Sequence, residues 1–222
     1  GVVPLGSGND LARLLGLRPR RVAEALDAAL GPTVVRLDVG VACVHGTSVK
    51  ELFVNQCGFA LEPEVVRRLR PGKLFDGSAG YAAAAARALA AFRPRRLTLH
   101  ADALRVEAEP LLLEVANAPY AGGGFRLAPR ADPRDGRLDV CLVERLTWPR
   151  LVLALPRALS GTHLGLKGVT YLRAQSVEVR SGSGGPLAFQ LDGELREAAG
   201  GGVDLGVLPR GLRVAVPEGA LR

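Results

Sequence analysis

PLAFQLDGE, residues 186–194, is an apolar run that ends in a turn with two carboxylates. Gly193 lets the chain bend sharply, so Asp192 and Glu194 can project from the end of a strand into a cleft, as general acid–base chemistry requires. Asp-Gly is also ordinary turn chemistry between two strands, and these residues alone leave both interpretations open. Two other stretches carry similar chemistry: GSGND at residues 6–10 and ADPRDGRLD at residues 131–139.

Around this turn, the sequence predicts many strands and few helices from residue 33 onward, without an alternating strand–helix rhythm. This pattern favours an antiparallel sandwich or curved sheet in an α+β chain. Strands are expected at 34–44, 51–59, 95–106 (two strands with a turn), 109–116, 138–143, 169–180, 187–191, 203–207 and 212–216. Helices are expected at 19–30, 62–70, 79–92 and 148–160. The first 30 residues are expected to belong to another unit.

The composition is that of a folded protein with a hydrophobic core. A chain of 222 residues with 48% hydrophobic residues can bury a sizeable core. Neither a bilayer-spanning stretch nor a signal-peptide pattern is visible, so we expect a soluble, intracellular chain. Cys43, Cys57 and Cys141 lack paired metal-ligand spacing and are interpreted as reduced core thiols in a reducing compartment.

The charge balance indicates an anionic partner. The chain has 29 Lys and Arg against 22 Asp and Glu, a formal charge of +7, which favours phosphates or anionic lipid headgroups. Nucleic acid is disfavoured, because the few aromatic residues (Phe 6, Tyr 3, Trp 1) do not alternate with basic residues as a stacking platform requires.

The opening, GVVPLGSGNDLARLLG at residues 1–16, predicts the end of a strand, a glycine loop and a helix. Asn9 or Asp10 can cap this helix, whose first N–H groups could then face an anion. A natural protein rarely begins in mid-strand, so residue 1 is expected to be a truncation point.

Together, the glycine loop and the acidic turns suit phosphoryl transfer. That reaction needs an anion cradle, Mg²⁺ held by hard oxygens and a carboxylate that orients or deprotonates the attacking hydroxyl. Gly6, Ser7 and Gly8 supply small residues and N–H groups for phosphate, while Asp192 and Glu194 supply the carboxylates.

These stretches resemble the diacylglycerol kinase catalytic family, which includes bacterial lipid kinases and the sphingosine and ceramide kinases. PLGSGNDLAR at 4–13 resembles the family's Gly-Thr-Gly-Asn-Asp-Phe-Ala-Arg motif, and LDGE at 191–194 its Asp-Gly-Glu. Further matches follow in family order: FVN at 53–55 with Gly58, Asn117 with GGG at 122–124, AP at 128–129, Ala131, and DGRLDV at 135–140. The family's Gly-Gly-Asp-Gly-Thr loop is absent and is expected upstream of Gly1. GFALE at 58–62 departs from the family's Gly-x-Gly-Phe-Asp-Ala pattern.

The resemblance implies a lipid kinase/NAD kinase-like fold, in which a nucleotide-binding α/β domain precedes a β-rich domain and the active site lies between them. Residues 1–32 would be the remnant of the first domain and residues 33–222 the second. It implies an ATP- and Mg²⁺-dependent kinase of lipid metabolism and phospholipid biosynthesis that phosphorylates a lipid with a free hydroxyl, such as diacylglycerol. The implied location is the cytoplasm, with peripheral contact at an anionic membrane surface. Whether the chain forms a homodimer is left open.

The same resemblance implies roles for individual residues. Gly6, Ser7, Gly8, Asn9 and Asp10 would form the ATP-binding loop, with Ser7 standing where the family usually has Thr.

For the catalytic steps, Asp10 and Asp38 would hold the water network around the catalytic Mg²⁺. Glu194 would be the general base, supported by Asp192. A second, structural Mg²⁺ would lie at the turn of residues 132–137, bound by the Asp135 side chain and by carbonyls near Asp132 and Arg137.

Two alternatives remain. NAD kinase resembles this fold, but its usual Asn-Glu and Thr-Pro-Thr-Gly-Ser motifs are absent. A catalytically incompetent module that binds lipid, metal or a partner is favoured by the missing nucleotide loop, and for the same reason we expect the 222-residue chain alone to have little kinase activity.

Overall fold

The computed structural model describes residues 1–6, 8–68 and 78–220, with the exception of the side chains of 78–83, 148, 149 and 152. The strands are β1 Val34–Val44, β2 Lys50–Phe53, β3 Gln56–Ala60, β4 Leu97–Ala101, β5 Leu104–Ala108, β6 Leu112–Ala116, β7 Leu138–Val143, β8 Val169–Ala174, β9 Val177–Ser181, β10 Leu187–Leu191, β11 Glu194–Ala198 and β12 Gly202–Ala215. The α-helices are α1 Asp10–Leu14, α2 Val22–Leu30, α3 Leu61–Arg68, α4 Ser78–Ala91 and α5 Trp148–Ser160, and a 3-10 turn follows at His163–Gly165.

The strands form two six-stranded sheets, and every strand pair in them is antiparallel. The first sheet has the order β2-β1-β12-β9-β4-β5, and the second has the order β11-β10-β3-β6-β7-β8. Apolar side chains of both sheets meet in one core that includes Phe53, Phe59 and Phe189. The alternation of buried and outward residues along β4 and β9 is the period of a half-buried strand. The predicted antiparallel, sandwich-like fold is confirmed.

The N-terminal helices pack at one end of the first sheet. Ala12, Leu15 and Ala25 from the region of α1 and α2 share a small core with Leu37 of β1 and Val214 of β12. The first 30 residues therefore contact the strands directly, and the predicted domain boundary at residue 32 stays a prediction.

The prediction of one strand over 51–59 is wrong, because the chain changes sheets in the middle of this stretch. β2 pairs with β1 in the first sheet, whereas β3 pairs with β10 and β6 in the second. The link between them is a bend at Val54 and Asn55. Its backbone amides are bound by a distant side chain, Asp192, which a local sequence pattern cannot reveal.

The single strand predicted over 169–180 divides in the same way. β8 lies at the edge of the second sheet and β9 inside the first. Between them, the amides of Gln175 and Ser176 donate to the carboxylate of Asp102, at 3.1 and 3.0 Å. Asp102 belongs to the β4–β5 turn and has a φ of 49°.

Residues 203–207 and 212–216 were predicted as two strands but form one long strand, β12. Its register against β1 shifts between Leu37 and Val39, opposite Leu212 and Leu208. Arg210, at this irregularity, has a φ of 54°, and its amide donates to Asp38. Pro209 and Gly211 therefore mark a bulge rather than a strand end.

The sequence pattern does not predict β11, a short edge strand whose residues ELREA are mostly exposed. Its predictions for β1, β7, β10 and α5 agree with the structure, and α2, α3 and α4 differ at their ends; residues 69 and 70 of the predicted third helix lie outside the described residues. No helix in the described part of the chain is long and apolar enough to cross a membrane.

Candidate active site

The turn with Asp192 joins β10 to β11, and both of its central residues have positive φ: 48° at Asp192 and 90° at Gly193. The Asp192 carboxylate does not extend freely into a cleft. Its oxygens accept the backbone amides of Val54, Asn55 and Gln56 at 2.7, 2.8 and 2.9 Å. Asp192 thus holds the link between β2 and β3, where the chain crosses from one sheet to the other.

Asn117 holds the same link through other atoms. Its side-chain amide donates to the carbonyl of Val54 at 2.7 Å and to that of Asp38 at 3.0 Å. The backbone amides of Asn117 and Ala118 both donate to the carbonyl of Asn55. The bend at residues 54–55 is therefore fixed by Asp192 and Asn117 together.

Glu194 differs sharply from Asp192. Its side chain is 72% exposed, and its carboxylate pairs with Arg196 at 2.8 Å. Arg196 also bonds to Glu51 on β2. Of the two carboxylates that the sequence pairs, Asp192 is bound by three backbone amides, whereas Glu194 pairs with an edge-strand arginine, Arg196.

Asp10 lies near the Asp192 turn. Its carboxylate accepts the amide of Gly123 at 2.9 Å and pairs with Arg13 at 3.0 Å. Burial raises the pKa of Asp10, and the negative charge of Asp192 acts in the same direction. The structure therefore brings the glycine loop near residue 8 together with the triple-glycine loop and the acidic turn.

The rest of the predicted nucleotide loop surrounds Asp10. A Cβ atom placed on Gly8 would lie 3.5 Å from the Asp10 carboxylate and 3.7 Å from Gly123. Asn9 has a φ of 54° and donates through its side-chain amide to the carbonyl of Gly6. Ser7 lies outside the described residues.

Asp38 is buried and binds two turns of backbone. Its carboxylate oxygens accept the amides of Gly136 and Arg210, each at 2.7 Å. Asp38 thereby connects the turn at 132–137 to the irregularity in β12. The observed contacts of Asp38 hold two backbone segments in place. Its predicted part in a magnesium site stays a prediction.

The turn at 132–137 is closed by its own hydrogen bonds. Asp135 accepts the amide of Arg137 at 3.0 Å, and its other oxygen pairs with Arg173. The Asp132 carbonyl accepts two amides of the turn, and its carboxylate pairs with Arg134 at 2.8 Å. A cation at this turn would therefore have to compete with Arg173 for the Asp135 carboxylate.

Behind the Asp192 turn lies a buried pair of acids that sequence reasoning missed. Glu62 of α3 reaches over Gly58, where a Cβ atom would lie only 1.5 Å from its carboxylate. Gln190 connects this acid to the turn, because it donates to Glu62 at 2.7 Å and accepts the amide of Gly193 at 2.6 Å. Glu114 of β6 lies beside Glu62, and both are buried.

Burial raises the pKa of both acids, and the charge of Glu62 raises that of Glu114 further. Two carboxylates so close together in a water-poor interior cannot both be ionised without a large cost, which is why the pKa of each lies above its ordinary value. A single acid inside the apolar run LLLEVA was the sequence signal for Glu114. No local sequence pattern indicated that Glu62 would be the partner of Glu114.

A cavity of about 140 Å³ adjoins these acids. Its walls are almost entirely apolar, with Glu62 and His163 as the titratable exceptions. Burial lowers the pKa of His163, which favours the neutral imidazole. Helix α5 forms one wall of the cavity through Leu151, Ala154, Leu155 and Ala158. Gly122 also lines the cavity and precedes Gly123, whose amide binds Asp10.

Comparison with known proteins finds relatives that are named as diacylglycerol or lipid kinases. The chain is 26% identical over 196 residues to the diacylglycerol kinase of Bacillus subtilis (strain 168), covering 87% of this chain and 62% of that protein. It is 31% identical to a Pseudomonas aeruginosa (strain UCBPP-PA14) protein named "Probable lipid kinase YegS-like", covering 99% of this chain and 68% of that protein. The chain thus spans under two thirds of the B. subtilis relative.

The fold is also similar to that of a solved structure. A crystal structure of a diacylglycerol kinase from Bacillus anthracis str. Sterne matches 97% of this chain and 66% of its own, with a TM-score of 0.65 and 17% identity. The family model described as the YegS C-terminal NAD kinase beta sandwich-like domain matches residues 58–216. The chain belongs to this YegS C-terminal domain family.

Proposed function

We propose that this chain provides the acceptor site and the catalytic base of an ATP-dependent lipid kinase, which transfers the γ-phosphate to a free lipid hydroxyl. The apolar cavity between two acidic elements is the observation that carries the proposal. On one side, Gly122 adjoins Gly123, whose amide binds Asp10. On the other side, Glu62 is connected through Gln190 to the turn that bears Glu194.

The size of the cavity is informative. An apolar space of roughly 150 Å³ stays dry and accepts a small hydrocarbon group. The cavity can therefore take a segment of an acyl chain, while the rest of the lipid lies outside. A dinucleotide offers no such group, so the apolar lining favours a lipid acceptor over NAD.

Glu194 is the proposed general base. A lipid hydroxyl has a pKa far above neutrality, so attack on phosphorus is aided by a carboxylate that takes the proton as the new bond forms. Glu194 is exposed enough to reach a substrate, while Asp192 fixes the turn that carries it. Asp192 therefore acts on catalysis through the position of Glu194.

ATP and Mg²⁺ are proposed to bind on the Asp10 side, next to Gly6, Ser7, Gly8 and Asn9. A half-buried carboxylate near a second negative charge fits a divalent cation, because the cation would favour the ionised form of Asp10. Bound with ATP, Mg²⁺ neutralises charge on the phosphates as transfer proceeds. A second Mg²⁺ at the turn of residues 132–137 would replace the guanidinium of Arg173 at Asp135.

Helix α5 is the proposed contact with an anionic membrane. Leu153, Leu155 and Leu159 are 64%, 49% and 52% exposed, and Arg150 and Arg157 are exposed on the same helix. An amphipathic helix with this composition suits the bilayer interface, where leucines insert and arginines meet headgroups. Sedimentation with phosphatidylglycerol vesicles tests this: replacing Leu153 and Leu159 by serine should reduce binding, and undiminished binding would exclude α5.

A non-catalytic binding module is the second candidate, since the carboxylate of Asp192 is fully engaged with backbone amides. The test uses protein expressed from the full open reading frame, incubated with γ-labelled ATP and, in parallel, diacylglycerol, sphingosine or NAD. We expect labelled lipid after thin-layer separation. Labelled NADP would instead indicate an NAD kinase, and no transfer to any acceptor would favour the module.

A further inference from the structure

A cluster of metal-binding side chains lies on the outer face of the first sheet, apart from the candidate active site. His45 follows β1, Glu178 is on β9 and Asp204 is on β12. The His45 Nε2 atom is 3.0 Å from an oxygen of Asp204 and 3.7 Å from an oxygen of Glu178. One ligand atom from each of the three residues lies within 4.8 Å of the other two.

Strand register explains why these groups meet. Asp204 of β12 pairs with Glu178 of β9, which in turn pairs with His100 of β4. Since the neighbours of Glu178 along β9, Val177 and Val179, are buried in the core, this row of side chains faces outward. Two imidazoles thus flank a pair of carboxylates on a rigid sheet.

Glycines fix the orientation of the His45 ring. A Cβ atom at Gly202 would lie 2.3 Å from Nδ1 of His45, and one at Gly200 would lie 2.5 Å from its carbonyl oxygen. The His45 amide also donates to the Gly202 carbonyl at 2.9 Å. The ring therefore packs directly on glycine backbone, and its Nε2 atom is directed at the two acids before any ligand arrives.

Arg180 is the present partner of Glu178, at 2.5 Å. It is 56% exposed, so its guanidinium can turn into solvent when a doubly charged ion takes its place. Imidazole nitrogen and carboxylate oxygen together suit zinc and related transition metal ions better than Mg²⁺, which prefers oxygen ligands and water.

We propose that His45, Glu178 and Asp204 bind a divalent transition metal ion, with Zn²⁺ as the representative. Small rotations of the two carboxylates would bring all three ligand atoms to the roughly 2.0–2.2 Å that zinc requires. The ion would tie the turn after β1 to β9 and β12, and so stabilise the middle of the first sheet. This site does not depend on the proposed kinase activity.

The test is calorimetric titration of metal-free protein with zinc chloride near neutral pH, on four proteins: wild type, His45→Gln, Asp204→Asn and Glu107→Gln. Glu107 is an exposed acid of β5 on the same outer face, so its variant is the matched control. Asp204 is 57% exposed, so its replacement should leave the fold intact, which circular dichroism would check.

We expect one zinc ion per wild-type chain, and a loss of affinity of about tenfold or more in His45→Gln and Asp204→Asn, since even outer-shell changes cost that much at metal sites. Glu107→Gln should bind as wild type does. No stoichiometric binding by the wild type, or equal affinity in wild type and both ligand variants, would overturn the proposal.

Discussion

At the scale of single residues, Asp192 and Asp102 perform the same structural task. Each has a φ near +48°, at 48° and 49°, in a turn between two paired strands, and each binds backbone amides of a distant segment that passes from one sheet to the other. A short acidic side chain tolerates left-handed backbone and can still accept several amides. Asp192 in the candidate site therefore contributes to the stability of the fold as well as to the proposed activity.

Asp192→Ala should lower the free energy of unfolding, because it leaves the amides of Val54, Asn55 and Gln56 without their acceptor. Each bond to a charged acceptor contributes roughly 1.5–3 kcal/mol, so the loss of three such bonds should lower the free energy of unfolding by at least that much in urea unfolding. Glu197→Gln, an exposed acid of β11, is the control. If both variants unfolded at the same urea concentration as wild type, the structural role of Asp192 would be wrong.

The acids Glu62 and Glu114 predict a dependence of stability on pH. Burial raises their folded-state pKa above the ordinary 4.5, so above pH 4.5 the folded protein keeps protons that the unfolded chain has released. The stability that the pair contributes is therefore full below pH 4.5 and is lost as the pH rises through the raised values.

Glu114→Gln removes the most strongly shifted of these titrations while keeping the shape of the side chain. Its melting temperature should equal that of wild type or lie below it in acid and exceed it at alkaline pH, where wild type must ionise a buried acid. Thermal unfolding across this pH range is the measurement. Parallel curves for the two proteins would mean that the acid pair does not titrate as argued.

Among the elements, local pattern predicted best the strands that are mostly apolar and regular, such as β1, β7 and β10. Their bounds are as expected because each is a mostly apolar run with few polar residues in it. The crossings after β2 and β8 were missed, since the side chains that hold them, Asp192 and Asp102, are far away in sequence. The cavity and the acid pair escaped prediction for the same reason.

Helix α5 should determine chain-length preference, because it forms one wall of the cavity. Ala154→Phe would fill part of this space and should raise KM for long-chain diacylglycerol by roughly tenfold, the scale of a lost hydrophobic contact. Leu30→Phe, at an exposed position of α2, is the control. Equal KM values in the two variants would place the acyl chain elsewhere.

The turn at residues 132–137 gives a separate test of the predicted second metal site. Asp135→Ala removes the one side-chain ligand proposed there and should lower the melting temperature more in Mg²⁺ than in chelator. In chelator only the pairing with Arg173 and the Arg137 amide is lost. Equal destabilisation in both solutions would show that the turn binds no Mg²⁺.

At the scale of the whole molecule, the fold class and the order of the motifs followed from sequence, whereas the division of labour among the acids did not. LDGE at residues 191–194 presents Asp192 and Glu194 as equivalent. The fold separates them, because backbone amides of the link between the two sheets bind the Asp192 carboxylate, whereas the Glu194 carboxylate pairs with Arg196. We therefore propose that Glu194, and not Asp192, is the general base of a lipid kinase.

The most direct test is the rate of phosphoryl transfer from ATP to diacylglycerol by protein from the full open reading frame, compared among wild type, Glu194→Gln and the control Glu197→Gln. We predict that Glu194→Gln lowers kcat by about 10²–10⁴-fold, the usual contribution of a general base, with ATP binding nearly unchanged and Glu197→Gln fully active. If Glu194→Gln kept most of its turnover while the transfer step was rate-limiting, the account would be contradicted.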